Sequence, residues 1–593
     1  MPTGVAADGA RPYHEPSAGD RAVRQDPATA SRNSLMLYDT VIRNARVIDG
    51  TGMPSFVSDV AIAGGRIAKI GKVAAPGKRD IDAAGLVLAP GFIDVHTHYD
   101  VQLDWDPTAS SACWHGVTSV LVGNCGFTLA PSRPEDVDWL ARMLCRVEGM
   151  SIQALREGLK FKGGSFADYW KRFDGRLGVN VGSLVGHSAL RRYVMGAAAS
   201  ERAATAGEIE AMQALLRQSL REGAMGFSTS QLSVHADDEG KPVPSNLATP
   251  EEIVALSAVL AEFDRGTLEI FTRTMGKGYD PEDRKLILDM YAASGRPIEI
   301  DFPSPVAYKR AFEFYGEAMA QGVRLHPQFM ANRGGLHLKL ADTFLFDELP
   351  AWKEVLTRPE PQRSQMLRDP EVRARLRADW NSDKPREVSI IHWSTLEVEL
   401  ADTPRNAALA GRSVQEIADA RGADPLDVFL DVSLSEALKV QWKVRDNEEA
   451  RRFLHKLTRM GIQHPMSVPG SSDGGAHLNS FTGADYTTRF LTEYVPEAIG
   501  LEQAIHRLTL MPATVHGLTD RGVIREGAWA DLVLMDMKRL GVGEMRLQRD
   551  FPCDSERYVV ESHGYVATFV NGVQLIEEGR HTGALPGHVL RGS

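Results

Sequence analysis

Short runs of β-branched and apolar residues follow one another closely in the first part of the chain. The segments YDTVIRNARVIDG, SDVAIAGGRIAKIG and AAGLVLAPGF are separated by glycine-containing turns, which is typical of a small antiparallel sheet. We therefore predict a β-rich domain over residues 38–89. Similar runs return in GVIREGAWADLVLMD and YVATFVNGVQLIEEGR. We expect residues 518–593 to pair with the first sheet in one domain built from both chain ends.

Residues 90–517 alternate apolar runs with segments of helical period. One such segment is EIEAMQALLRQSLREG, in which Ile209, Met212, Leu216 and Leu220 fall on one face. Eight strands with helical crossovers predict an α/β fold, a (β/α)8 barrel of the TIM type. The eight runs predicted as strands are 92–98, 117–124, 179–187, 223–230, 267–273, 297–302, 323–329 and 466–473.

Two segments fall outside this alternation. The ends of the last two predicted strands, at 329 and 473, are 473 − 329 = 144 residues apart, far more than one helix requires. We therefore predict a lid or inserted subdomain at about residues 330–465. Residues 1–36 are rich in Ala, Gly, Pro, Asp and Ser and show neither a strand nor a helix period, so we predict a disordered tail.

Composition and charge exclude several classes of function. The 593 residues include 67 Lys and Arg against 78 Asp and Glu, a formal net charge of −11, without a run of five basic residues. A nucleic-acid partner is therefore not expected. The sequence contains neither a long apolar stretch for a membrane helix nor a secretory signal, so we expect a cytoplasmic protein without a membrane partner. A homo-oligomer is compatible with the sequence.

Two histidines follow the first predicted strand of the barrel. His96 and His98 stand two apart in DVHTH, and on a strand such residues project from the same face. At the carboxyl end of a barrel strand both imidazoles would enter the pocket in which barrels carry out chemistry. Two neutral imidazoles suit a borderline metal such as Zn²⁺. The alternative is a pair of partly exposed loop histidines.

Two further residues are placed to join the histidines. Cys125 ends the second strand in LVGNCGF; a free cysteine is often a buried small hydrophobe, but beside a cation its thiolate binds one ion or bridges two. Asp473 ends the last strand in VPGSSDGGAH. It could stabilise its own turn, but we favour a base that takes a proton from a metal-activated water. The other cysteines have no comparable setting: Cys113, Cys145 and Cys553.

The motifs GFIDVHTHYD, VGNCGF, GHSALR, GFSTS, SDGGAH and TDRGVIREGAWADLVLMD together resemble the amidohydrolase superfamily, and within it the branch of N-acyl-D-amino-acid deacylases. The resemblance spans about residues 38–591. It implies a metal-dependent hydrolase with a distorted (β/α)8 barrel and a small β-sandwich domain built from both termini. It also implies zinc ligands, which by position are His96, His98, Cys125 and Asp473.

The resemblance fails at two strand ends. Deacylases of this branch usually supply two further histidine ligands from strands five and six, whereas this chain reads LEIFTRT and PIEIDFPS there. A single zinc ion is therefore favoured, and two ions would require a rebuilt second position. His187, His235 and His326 are the candidates to rebuild it, although each is also suited to hydrogen bonding in the pocket.

A substrate of this family is a small amide with a free carboxylate, which needs a cation in the pocket, ideally arginine. Arg191 in GHSALR ranks first, before Arg273 and Arg333, and His187 in the same motif is expected to contact substrate or metal. The predicted insertion offers aromatic residues that could line an acyl pocket or pack the lid: Phe344, Trp352, His392 and Trp393.

These observations predict hydrolysis of a C–N amide bond, in an N-acyl-D-amino acid or a similar small carboxylated amide. A metal-activated water would attack, with Asp473 as general base and then acid. Three alternatives stay open. The same site could cleave a cyclic imide, a lactone or an N-formyl group; the scaffold could carry a metal-dependent lyase or decarboxylase; or a barrel without catalysis could serve as a binding or scaffold protein.

Overall fold

The computed structural model describes residues 38–149, 151–300, 307–331, 335–382, 391–470, 472–480 and 483–592. The predicted disordered tail, residues 1–36, lies outside the described residues. The strands are β1 Tyr38–Val47, β2 Phe56–Ala63, β3 Arg66–Gly71, β4 Gly77–Asp82, β5 Val87–Pro90, β6 Phe92–Asp94, β7 Val117–Val122, β8 Asn180–Ser183, β9 Val185–Gly186, β10 Gly226–Ser230, β11 Thr267–Phe271, β12 Ile298–Ile300, β13 Leu325–Phe329, β14 His337–Leu338, β15 Leu396–Leu400, β16 Gln441–Val444, β17 Val468–Pro469, β18 Leu532–Met535, β19 Gly541–Phe551, β20 Ser555–His563, β21 Tyr565–Val570, β22 Val573–Glu577 and β23 Arg580–His581.

Within the same ranges, no helix is long and apolar enough to cross a bilayer. The α-helices are α1 Val137–Val147, α2 Ile152–Gly158, α3 Phe166–Lys171, α4 His187–Met195, α5 Ala206–Arg221, α6 Pro250–Ala258, α7 Pro281–Ser294, α8 Tyr308–Ala320, α9 Pro350–Leu356, α10 Gln362–Arg368, α11 Pro370–Trp380, α12 Pro404–Ala407, α13 Val414–Arg421, α14 Pro425–Ser435, α15 Glu448–Gln463, α16 Tyr486–Glu493, α17 Leu501–Leu508 and α18 Leu510–Val515.

Each of the eight runs predicted as a parallel strand contains one, and the third run contains two, β8 and β9. They form two parallel sheets, in the orders β17-β13-β12-β11-β10-β9 and β6-β7-β8. The sheets meet where a single residue separates β8 from β9, and again where Thr97 and Gly474 form a parallel bridge. The mixed α/β class is as predicted, whereas complete closure into a (β/α)8 barrel stays a prediction.

Helices α5 and α6 begin with the same local signal but use it differently. Thr205 and Thr249 are the N-cap residues, and each is followed three residues later by glutamate. Glu208 bonds back to the backbone of Thr205 and completes a capping box at the surface. Glu252 instead turns into the core, where its carboxylate contacts His187 and Arg191.

Strands from both chain ends form one nine-stranded sheet. Its order is β23-β22-β21-β18-β5-β1-β2-β3, with β4 beside β1. The two ends join where β18 pairs antiparallel with β5, Leu532 opposite Pro90 and Met535 opposite Val87. The two chain ends thus share one sheet, whereas their assignment to one domain and a second layer that would make a β-sandwich stay predictions.

The segment between β13 and β17 has a core of its own. Strands β14, β16 and β15 form a small antiparallel sheet, and side chains from residues 338–442 pack as a separate hydrophobic cluster. Helix α15 packs with the parallel strands rather than with this cluster, because Ile462 lies in the core around those strands and Thr458 donates to the Met330 carbonyl. The exact domain limits, and a lid function for this segment, stay predictions.

The hairpin β19–β20 links the insertion to the parallel strands. Tyr558 on β20 donates to the Glu399 carboxylate of the insertion, over 2.7 Å. On the opposite side, Val560 O lies 3.1 Å from His115 Nε2, and His115 Nδ1 lies 2.7 Å from the Thr488 hydroxyl. This hairpin therefore contacts both parts of the chain through buried and partly buried polar groups.

Candidate metal centre

The two histidines of the HxH motif lie side by side just beyond β6. Thr97, between them, donates to Leu121 O through its amide and its hydroxyl, and the His98 amide donates to Gly474 O over 2.7 Å. These bonds keep the backbone extended, so both imidazoles point to the same side. Their ring centroids are 5.4 Å apart, and both side chains are 1% exposed.

Cys125 reaches the histidines because the chain turns sharply after β7. Its φ is +56°, and its amide donates to Glu269 Oε2 over 2.9 Å, which fixes the turn. The Cys125 Sγ atom lies 3.4 Å from His96 Nε2 and 3.8 Å from His98 Nε2. The three predicted ligands therefore meet in one place, with their donor atoms within 4.8 Å of one another.

Asp473 approaches the same place from the other end of the chain. Its φ is +48°, and Gly475 follows at +91°, so close to His98 that a Cβ there would lie 2.7 Å from the His98 carbonyl group. Asp473 Oδ1 lies 3.4 Å from His96 Nε2 and 3.7 Å from His98 Nε2. Its side chain is 23% exposed, so Asp473 is the member of the cluster that faces solvent.

The outer nitrogens of the imidazoles face oxygen atoms of other residues. His96 Nδ1 lies 2.9 Å from Gln328 Oε1. His98 Nδ1 lies 3.4 Å from the carboxylate of Glu148, at the end of α1. An acceptor at Nδ1 favours the tautomer whose Nε2 lone pair is free to bind a metal. Both Nε2 atoms point into the cluster, as a metal site requires.

The donor set fits Zn²⁺. Tetrahedral zinc with bonds of about 2.0–2.3 Å separates two nitrogen or oxygen donors by about 3.3 Å, and nitrogen from sulfur by about 3.6 Å. The four distances to the imidazole nitrogens, 3.4 and 3.8 Å from sulfur and 3.4 and 3.7 Å from oxygen, lie within about 0.4 Å of these edges. Three close donors with an accessible fourth direction are typical of a catalytic zinc site.

Burial controls the protonation of the groups around the cluster. Burial, and then the neighbouring imidazole of His96, keep the pKa of His98 well below its usual range. Burial also lowers the pKa of His477 to about 4. The imidazoles of His98 and His477 are therefore neutral at pH 7, and the neutral form of His98 is the one that can bind a metal. Burial raises the pKa of the Glu148 carboxyl well above its usual range, and the negative charges of Asp473 and Asp100 add to this.

The residues predicted to bind substrate lie in a different network. His187 Nδ1 is 2.9 Å from the Thr229 hydroxyl, and its Nε2 is 2.9 Å from Glu252 Oε1. Arg191 Nη1 donates to both Glu252 oxygens over 2.6 and 2.5 Å, and its Nη2 donates to Arg202 O. The side chains of this triad are completely buried. Substrate contact by His187 and Arg191 stays a prediction, and their contacts favour a structural role.

An aromatic ring lies at the end of the fifth predicted strand, where the resemblance implies a histidine. Phe271 ends β11, and its ring centroid lies 5.9 Å from those of His96 and His235. His235 is hydrogen-bonded to the Ser230 hydroxyl and packs on Phe127. The end of the predicted sixth strand, residues 301 and 302, lies outside the described residues.

The other candidates lie apart or in packing positions. His326 Nδ1 bonds to Met466 O, and Arg273 donates to Ala248 O over 3.4 Å. Phe344 of the insertion packs on His477, with centroids 4.9 Å apart. Trp352 and Trp393 pack inside the insertion against other aromatic rings. His392 is exposed, and Arg333 lies outside the described residues.

Sequence reasoning missed Glu148, Gln328 and Glu269, which surround the cluster. Gln328 and Glu269 stand on predicted strands, where their alternation could have marked them as inward-facing polar residues. Glu148 follows an ordinary amphipathic helix and offered no signal of its own.

Comparison with known proteins agrees with the motifs. Residues 79–576 match the amidohydrolase family model, and residues 14–92 match the N-terminal domain of the urease α-subunit. An N-acyl-D-aspartate deacylase of Alcaligenes xylosoxydans xylosoxydans is 31% identical over 93% of this chain and 95% of its own. An N-acyl-D-glutamate deacylase of the same organism is 29% identical over 93% and 96%.

Among solved structures, an N-acyl-D-glutamate deacylase from Bordetella bronchiseptica, complexed with zinc and a phosphonate inhibitor, matches 94% of this chain and all of that one. Its TM-score is 0.63 and its sequence identity 25%. The predicted resemblance to the N-acyl-D-amino-acid deacylases is thus confirmed, and the chain belongs to the amidohydrolase family.

Proposed function

We propose that the protein is a metal-dependent hydrolase that cleaves the amide bond of N-acyl-D-amino acids. The observation that carries the proposal is the meeting of His96, His98 and Cys125 beside the accessible carboxylate of Asp473. The deacylase relatives named above support the substrate class.

We assign His96, His98 and Cys125 as the ligands of one Zn²⁺ ion. Asp473 lies at the open side and can also ligate. Phe271 supports a single-ion site, because a phenyl ring at the end of β11 offers no donor for a second ion. This assignment requires the parallel strands to surround the site, as in the predicted barrel.

The residues of the site divide the work of hydrolysis. A bound Zn²⁺ ion polarises a carbonyl oxygen and lowers the pKa of water. Asp473 takes the proton from the attacking water and delivers it to the departing nitrogen, because it alone in the cluster combines exposure with a position beside both imidazoles. Phe271, whose ring centroid lies 5.9 Å from that of His96, places an apolar side chain beside the reacting atoms.

The test is hydrolysis by the zinc-loaded protein of N-acetyl-D-aspartate, N-acetyl-D-glutamate, apolar N-acetyl-D-amino acids and the L enantiomers. We expect release of the D-amino acid, and loss of activity after chelation that Zn²⁺ restores. Asp473→Asn should lower turnover by about 10²–10⁴-fold while metal content changes little. Turnover of cyclic imides alone, or an active Asp473→Asn enzyme, would contradict the proposal.

A further inference from the structure

The two imidazoles of the HxH motif have unequal outer partners. His96 faces the neutral amide of Gln328, whereas His98 faces the carboxylate of Glu148. We infer that Glu148 is a positioning residue, which fixes His98 for metal binding and ties it to the loop that carries Asp473. The inference rests on the metal site of the proposed function.

Glu148 and His98 lie close enough that a bound metal could draw them into a hydrogen bond. Glu148 is 2% exposed, and its Oε1 lies 3.4 Å from His98 Nδ1. This distance exceeds that of a good N–H···O bond, and within the described part of the chain neither atom has another hydrogen-bond partner. A charge-assisted bond at about 2.8 Å needs only a small shift of the imidazole ring.

The chemistry of a metal-bound imidazole favours a carboxylate at this place. When Nε2 binds a cation, the proton must reside on Nδ1, and the cation makes that proton a stronger donor. Burial raises the pKa of Glu148, but the positive charge of a bound cation would favour its ionised form. A carboxylate then accepts the Nδ1 proton better than an amide does, because it carries the opposite charge. Glu148 should therefore strengthen the binding of the ion by His98 and fix the orientation of its imidazole ring.

Glu148 also contacts the loop that follows Asp473. Its main-chain oxygen accepts the amide hydrogen of His477, and its Oε2 lies 3.9 Å from His477 Nε2. Asp473 and His477 both have positive φ, at +48° and +51°, so this short loop has a specific backbone shape that few other conformers can replace. One residue thus joins a predicted ligand to the segment that positions the predicted base.

Helix α1 gives Glu148 a rigid support. Its buried face, which includes Leu140, Leu144 and Val147, packs in the core around the parallel strands. At its surface Arg142 pairs with Asp238 in the loop after β10, over 2.6 Å, and Arg146 pairs with Asp347 of the insertion. Because α1 is held on both sides, Glu148 does not need the metal to keep its place.

The experiment compares Glu148→Gln with Glu299→Gln. Glu299 is equally buried and also faces an imidazole, with its Oε2 3.1 Å from His516 Nε2, but it has no contact with the predicted ligands in the described residues. Zn²⁺ affinity is measured by competition with a chelator, without substrate, and thermal unfolding is measured on the metal-free proteins. We expect the affinity to fall by about 10–100-fold in Glu148→Gln and to stay unchanged in Glu299→Gln.

Equal Zn²⁺ affinity of Glu148→Gln and the wild type would overturn the inference, and so would a loss matched by Glu299→Gln. If Glu148→Gln does not fold, NMR of the zinc-loaded wild type with nitrogen-15-labelled histidine provides the test. The inference is overturned if the proton on His98 Nδ1 lacks the downfield shift that a hydrogen bond to a carboxylate produces. A wild type that binds Zn²⁺ but hydrolyses no N-acyl amino acid defeats the proposed function alone.

Discussion

Replacing Glu252 by glutamine should destabilise the protein locally, whereas the same change at Glu208 should not. Both glutamates occupy the third position of a helix that begins with threonine. Glu208 lies at the surface, and its pKa of about 2 results first from the hydrogen bond of Arg202. Glu252 is completely buried against His187 and Arg191. The pair therefore separates the effect of burial from the effect of sequence position.

The size of the effect follows from the buried charge that remains. Burial alone would raise the pKa of Glu252, but its contacts with His187 and Arg191 bring it below the usual value, so the carboxylate is charged at pH 7. Glutamine leaves the Arg191 guanidinium without a counter-charge at zero exposure. Breaking a buried ion pair on one side costs about 3–5 kcal/mol. Amides of α4 and α6 should then exchange roughly 100-fold faster or more, at 1.36 kcal/mol per tenfold change.

Hydrogen exchange read by mass spectrometry is the suitable assay, because a chain with several cores need not unfold in one step. Equal exchange in Glu252→Gln and Glu208→Gln would refute the structural role of the triad. Arg191→Lys tests the alternative, a role of Arg191 in binding substrate. If Arg191 binds the substrate carboxylate, as the sequence predicts, this variant raises KM without faster exchange in α4 and α6.

Two further predictions concern other sites. Burial lowers the pKa of His115 to about 4 from 6.5. Between these pH values the imidazole of His115 is therefore protonated in the unfolded chain but not in the folded chain. The neutral His115 contributes on the order of 3 kcal/mol to the free energy of unfolding. This contribution is complete above pH 6.5 and is lost as the pH falls from 6.5 to 4. His115→Gln should show a correspondingly weaker pH dependence of unfolding, and an identical dependence would disprove this origin. Gly475→Ala should lower zinc content, because the new Cβ would clash with the His98 carbonyl group. Gly527→Ala, also at positive φ but in open space, should leave zinc content unchanged. Equal zinc content in both variants would show that the close approach of Gly475 to His98 is unnecessary.

The meeting of the four candidate ligands could be predicted because each of them has a local signal. The spacing of His96 and His98 places both rings on one side of the extended backbone. Cys125 and Asp473 come three and four residues after the ends of two other strands, β7 and β17. Parallel strands bring their carboxyl ends to one edge, so residues at these ends meet although they are far apart in sequence. The α/β class could also be predicted from a local signal, the alternation of apolar strands with segments of helical period.

The partners of these residues could not be predicted, because they depend on long-range packing. Glu252 has the T-x-x-E pattern of a capping box, as Glu208 does, yet it pairs with Arg191 from another helix. Glu148 is one glutamate at the end of one helix, and only the docking of α1 beside residues 473–477 brings it to His98. The local pattern gives the type of an element but not which charged residue it will bury.

The pairing of β5 with β18 has a consequence for synthesis of the chain. The four residues of β5 are all buried, and their edge is covered by a strand that begins at Leu532, about 440 residues later. At about 5–20 residues per second the ribosome needs about 20–90 s to produce that partner. During this time an apolar strand edge stays open to other nascent chains. The polypeptide therefore carries an unpaired apolar strand edge until β18 has been synthesised.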